Sequence, residues 1–142
     1  MGLTVVVDTS VFVSALIGTA GASRQVLRAC LERRCRPAMG EKLFLEYESV
    51  LQRPTVVRDS PLSAPEREKL LDAFLSVCQW IPVFYLWRPN VPDEGDNHVV
   101  ELAVAAGAEV IVAQNVRDFR GGELRFPQLE ILTAAQFAMR VR

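Results

Sequence analysis

Leu3-Thr4-Val5-Val6-Val7-Asp8-Thr9-Ser10-Val11 is the stretch on which the fold turns. Leu3 to Val7 is short, apolar and rich in β-branched side chains, the composition of a strand buried on both faces of a parallel sheet. The run ends at an acid. Asp8, Thr9 and Ser10 all carry side chains that cap helix N-termini, and Val11 to Ile17 reads as the short helix they start.

The same alternation continues outward. Gly18 to Gly21 breaks the first helix, and Ser23 caps a second that runs to about Arg34 on an apolar stripe of Val26, Leu27, Cys30 and Leu31. Arg36 to Met39 is a brief strand candidate. A helix follows from Glu41 to Arg53, with Leu43, Phe44, Tyr47, Val50 and Leu51 on one face, and Pro54 ends it. A polar stretch with Pro61 and Pro65 leads into a helix from about Glu66 to Cys78. Ile81 to Leu86 is the next strand, Arg88 to Gly95 a proline-bearing loop, and Asp96 to Gly107 a helix with the glycine as its C-terminal cap. Glu109 to Ala113 is strongly strand-like and Leu129 to Leu132 weakly so; Thr133 caps a last helix from Ala134 to Val141. Strands alternating with helices predict an α/β fold with a mostly parallel sheet. No repeat or linker divides the chain, so residues 1–142 are expected to form one domain.

The chain has 142 residues, half of them hydrophobic. A domain of that size buries roughly 70% of the surface its unfolded chain exposes, so the core needs no disulfide or structural metal. Cys30, Cys35 and Cys78 are odd in number and lack a C-x-x-C spacing, which argues for reduced, partly buried thiols. Lys+Arg and Asp+Glu number 16 and 17, so binding to a nucleic acid would rest on a local patch rather than on net charge. The N-terminus lacks the pattern of a signal peptide, and no apolar run approaches the ~20 residues of a membrane span. A cytoplasmic protein is expected.

In a parallel sheet the carboxyl ends of the strands and the amino ends of the following helices share one edge, where open α/β folds bind ligands. Asp8 ends the first strand, Asp118 follows the strand ending at Ala113, and Asp96 begins a helix. Glu46 lies within two turns of its helix start. All four are expected to approach that edge. Clustered carboxylates repel one another unless cations neutralise them, and hard oxygen donors suit Mg²⁺ or Mn²⁺. Phosphodiester cleavage is the chemistry such parts fit best. Each acid also has a bland reading: Asp8 as a helix cap, Asp96 as a first-turn acid behind Asp93 as the cap, Asp118 as a turn residue, and Glu46 as a solvated helix flank. By spacing, Glu46 and Glu48 flank the apolar stripe about equally.

At this point the residues resemble a known family. Val5-Val6-Val7-Asp8-Thr9-Ser10-Val11 is similar to the opening motif of PIN-domain nucleases. Glu46-Tyr47-Glu48-Ser49-Val50-Leu51-Gln52-Arg53 resembles the second motif, and that match selects Glu46 over Glu48. Asp93-Glu94-Gly95-Asp96-Asn97 resembles the third, and Ile111-Val112-Ala113-Gln114-Asn115-Val116-Arg117-Asp118-Phe119 the fourth. The resemblance spans almost the whole chain, in the expected order, and looks most like the toxin-antitoxin branch of VapC toxins. It implies a five-stranded sheet of order 3-2-1-4-5 and Mg²⁺- or Mn²⁺-dependent cleavage of RNA. It also implies metal ligation by Asp8, Glu46, Asp96 and Asp118, with Thr9, Ser10, Asp93, Asn97 and Asn115 in support, and as partners a small antitoxin and a second copy of the chain. Ala113 stands where the family usually has Thr.

Among lesser features, Arg24, Arg28, Arg33 and Arg34, with Arg36, form the best candidate RNA-phosphate patch, although a solvated face is the default. Trp80, Tyr85 and Trp87 could stack on bases, with core or dimer packing as the default. His98, the one histidine, is read by default as a surface or satisfied side chain, with acid-base work as the alternative. Gly18-Thr19-Ala20-Gly21 is not a P-loop. A phosphoaspartyl enzyme would need an acid where Ser10 stands. The alternative from another class is a catalytically weak or silent PIN-like protein-binding module.

Overall fold

A computed structural model of the chain describes residues 2–18, 21–83 and 97–141. Its centre is the strand that opens the sequence. β1 (Thr4–Val7) lies between two parallel neighbours, β2 (Arg36–Met39) and β4 (Val110–Val112). β3 (Gln79–Trp80) and β5 (Glu130–Leu132) form the edges, and the order is β3-β2-β1-β4-β5. This is the predicted α/β topology. Val5, Val6 and Val7 pair in register with Val110, Ile111 and Val112, and all six are buried. A strand covered on both faces has to be apolar at successive positions, which is why β1 and β4 are runs rather than alternations.

α1 (Thr9–Ile17) follows β1 with Asp8 as its N-cap and stops at Gly18, whose φ of 76° is the left-handed conformation of a C-cap. A Cβ at Gly18 would also lie 2.6 Å from an Arg24 guanidinium nitrogen. α2 (Gly21–Leu31) starts before Ser23, so Ser23 is not its cap; the residue is buried and its hydroxyl faces Gln114 Nε2 at 3.4 Å. α2 ends before Arg34, because Arg33 turns the chain at a φ of 60°.

α3 (Glu41–Val50) is shorter than the expected 41–53, and Pro54 does more than end it. Pro54 occupies the first turn of α4 (Pro54–Asp59), where its missing N–H costs nothing. That short helix buries only Val56 and shows no stripe by which a sequence could announce it. α5 (Ala64–Val77) begins two residues earlier than expected, with Ser63 and Glu66 exchanging capping-box hydrogen bonds.

The third strand is also displaced from the predicted 81–86. Ala38 pairs with Gln79 and Met39 with Trp80, and the Ile81 N–H reaches Met39 O at 2.8 Å. Pairing with β2, not local composition, sets that register. Residues 84–86 of the expected strand, with Tyr85, Trp87 and the loop 88–95, lie outside the described residues. α6 (Asn97–Ala106) leads into β4. A 3-10 turn over Val116–Phe119 and α7 (Arg120–Arg125), neither foreseen, precede β5. α8 (Ala134–Arg140) starts at the expected Thr133 cap and packs on α2.

An aromatic cluster joins the helices to the sheet. Tyr47 packs against Phe12 and Phe74 at centroid distances of 4.9 and 5.4 Å. Its hydroxyl donates to Val7 O at 2.6 Å, and complete burial pushes the phenol well above its ordinary pKa. The three cysteines are free thiols, as expected. Cys30 and Cys35 are buried with their sulfurs 3.5 Å apart.

Candidate active site

The strand order reverses between β1 and β4, and the crevice beyond their carboxyl ends is where such sheets hold ligands. Asp8 stands there, 7% exposed. Its N–H continues the sheet to Val112 O at 2.9 Å. Its Oδ2 accepts from the Ser10 N–H at 3.1 Å and from the Ser10 hydroxyl at 2.5 Å. The same hydroxyl accepts from the Gln114 N–H at 3.1 Å, just past β4. Capping and site-building are therefore one arrangement here. The short turn that starts α1 fixes the Asp8 carboxylate and ties it to the end of the neighbouring strand.

Glu46 approaches from α3. It is half-buried while Glu48 is exposed, so the helix turns Glu46 inward. Its neighbour Tyr47, anchored on Val7 O, sets that rotation. Glu46 Oε1 accepts from the Thr9 hydroxyl at 2.9 Å, and Oε2 meets His98 Nε2 at 2.6 Å. The His98 hydrogen bond is the chief cause that holds the Glu46 carboxyl below its ordinary range; burial opposes it and Thr9 assists. His98 lies in the first turn of α6 with its side chain 12% exposed, and its Nδ1 is buried with no hydrogen-bond partner among the described residues. Sequence reasoning set this histidine aside. The signal that finds it is contact with a residue 52 positions away.

The other expected site residues are placed differently. Asp118 lies in the exposed 3-10 turn, where its N–H bonds Asn115 O at 3.1 Å; Asn115 is exposed as well. Asp93 and Asp96 lie outside the described residues, and of Asn97 only the backbone is described. Among the described residues no three His, Cys, Asp or Glu side chains converge as a metal site. Asp8 and Glu46 are linked through Thr9, which follows Asp8 in the chain and donates its hydroxyl to Glu46, and neither acid forms an ion pair with Lys or Arg among the described residues.

The first turn of α2 faces Gln114 through Ser23, while the Arg24 side chain reaches the C-terminal end of α1, its Nε donating to Ala15 O at 3.3 Å. Arg28 is exposed one turn further on. Arg33 and Arg34 precede β2 and so lie at the opposite edge, where Arg34 donates to Val141 O at 2.6 Å and pairs with Glu32. Trp80 is 50% exposed on the edge strand, with its ring 5.4 Å from Phe44. No helix among the described residues is long and apolar enough to cross a membrane.

The sequence profile of the PIN domain matches residues 4–117, ending one residue before Asp118. No curated protein matches the chain. Among solved structures, the chain is similar to one from a crystal structure of VapBC2 from Rickettsia felis bound to a DNA fragment from their promoter. The two share 15% sequence identity and superpose with a TM-score of 0.59, covering 92% of this chain and 98% of that one. At that identity the likeness shows the fold.

Proposed function

The chain belongs to the PIN domain family, and from that premise we propose that it is a divalent-metal-dependent ribonuclease, the toxin of a toxin-antitoxin pair. One observation carries the reading. A nearly buried aspartate, Asp8, sits at the reversal point of a parallel sheet, and the next residue, Thr9, holds a second carboxylate, Glu46, while neither acid is ion-paired to Lys or Arg among the described residues. Carboxylates gathered at one sheet edge favour a cation that neutralises them.

The donor set fits Mg²⁺ or Mn²⁺, since Asp8 and Glu46 offer hard oxygens; Asp96 and Asp118 are proposed to complete it. A divalent cation, when bound, supplies charge neutralisation at the scissile phosphate and an activated water. The protein's own share is positional. Ser10 holds Asp8, Thr9 and His98 hold Glu46, and Arg24 and Arg28 on α2 are proposed to offer positive charge to RNA phosphates. Ser10 also supplies a hydroxyl at the end of β4, beside Ala113, where the family usually has its own. Asp93, Asn97 and Asn115 are proposed to support the site, and Arg33 and Arg34 to extend the RNA contact. A small antitoxin covering the acidic edge, a homodimer and a cytoplasmic location belong to the same proposal, the antitoxin on the strength of the VapBC2 likeness.

The test is cleavage of an RNA pool with Mg²⁺ or Mn²⁺ by wild type, Asp8→Asn and Asp96→Asn. Wild type is expected to cleave and to lose cleavage with chelator; both variants are expected to fold and to be inactive. Undiminished cleavage by both variants would place the chemistry elsewhere. Absence of both metal binding and cleavage in wild type would leave the protein-binding module.

A further inference from the structure

We infer that His98 is a positioning residue for Glu46, clamping its carboxylate jointly with Thr9. The inference rests on the metal-dependent nuclease reading and adds a residue to that site. Glu46 has two oxygens and each is met from a different helix, Oε1 by the Thr9 hydroxyl of α1 and Oε2 by the His98 ring of α6. Two donors on two oxygens fix both the position and the plane of a carboxylate, which one donor cannot do. The three helices meet at this point, so Glu46 is held by backbone elements that the sheet itself positions.

The second nitrogen of the ring separates this from an incidental contact. A carboxylate only accepts, so the proton lies on Nε2. Nδ1 is buried and has no partner among the described residues. Buried polar atoms are rarely left so, and a histidine kept only for packing would satisfy both nitrogens or be apolar. Among the described residues, the hydrogen bond the ring makes is the one to Glu46. Partners of this kind fix the orientation of ligating groups and typically change metal affinity or activity by about 10–100-fold when removed.

The experiment separates the two ring nitrogens. The amide nitrogen of Gln reaches the place of Nε2, whereas that of Asn reaches only the place of Nδ1. Mn²⁺ affinity by calorimetry and RNA cleavage would be measured for His98→Gln, His98→Asn, Glu46→Gln and the double variant His98→Asn/Glu46→Gln, with thermal melts as the folding control. His98→Asn is expected to weaken Mn²⁺ binding or kcat by about 10–100-fold with KM for RNA little changed, and His98→Gln to restore most of the loss. In the Glu46→Gln background, His98→Asn is expected to add little, the sign of one residue acting through another. Equal losses in Asn and Gln variants, or losses that add in the double variant, overturn the inference. Nitrogen-15 NMR of the metal-free protein gives a readout independent of the nuclease reading: Nε2 protonated and coupled to Glu46, Nδ1 bare. An Nδ1-protonated ring overturns the clamp. The clamped ring in a protein that neither binds Mn²⁺ nor cleaves RNA overturns the nuclease reading instead.

Discussion

Tyr47 does at the scale of one residue what the sheet does at the scale of the molecule. Its ring fills the space between Phe12 and Phe74, and its hydroxyl completes the carbonyl of Val7, the last residue of the central strand. The contact fixes the rotation of α3 about its axis and so turns Glu46, the preceding residue, toward Thr9. Tyr47→Phe keeps the packing and orphans a buried carbonyl, which costs about 1–3 kcal/mol. Urea unfolding should show a lower midpoint at unchanged slope; an unaltered midpoint would mean that Val7 O finds another donor. Glu46 and Asp8 were legible in the sequence for different reasons. Asp8 ends a run that could only be a buried strand, whereas spacing left Glu46 and Glu48 even and only the motif chose between them. His98 was not legible, because what gives it meaning is a carboxylate brought near by the fold.

At the scale of elements, local signals and pairing signals fare differently. β1, β4 and α8 were readable because their causes are local: an unbroken apolar run, or a Thr cap followed three residues later by Gln136. α4 and α7 are six residues each, α4 has only Val56 buried to pattern it, and Pro54 reads equally as a stop or a start. β3 takes its register from β2, which no window of sequence contains. The start of α5 shows how a cap links an element to pH. The Ser63 backbone N–H, and then the Ser63 side chain, hold the Glu66 carboxyl below its ordinary value of 4.5. A carboxyl with a depressed folded pKa contributes stability that is present above the unfolded value and is lost as pH falls through the folded one. Glu66→Gln keeps an acceptor but cannot titrate. Its stability should therefore fall less than that of wild type when pH drops below about 4.5, as read from urea midpoints across pH; parallel curves would show that the capping carboxylate does not contribute.

For the whole molecule, the sheet order sets what belongs together. The reversal between β1 and β4 gathers α1, α3 and the start of α6 around Asp8, while Asp118 rides on an exposed turn that buries only Phe119. The two aspartates are therefore expected to differ in how readily their backbone opens. Amide hydrogen exchange should divide them: the N–H groups of Val5 and Ile111, buried residues paired with a strand on each side, are expected to exchange only when the entire chain unfolds, and those of residues 116–125 by local opening at far smaller cost. Uniform protection across both regions would contradict this. The unequal anchoring gives the candidate site two kinds of support: Asp8 is fixed by the central strand itself, whereas Asp118 hangs on a surface turn held by Phe119 and by the contact of α7 with β5.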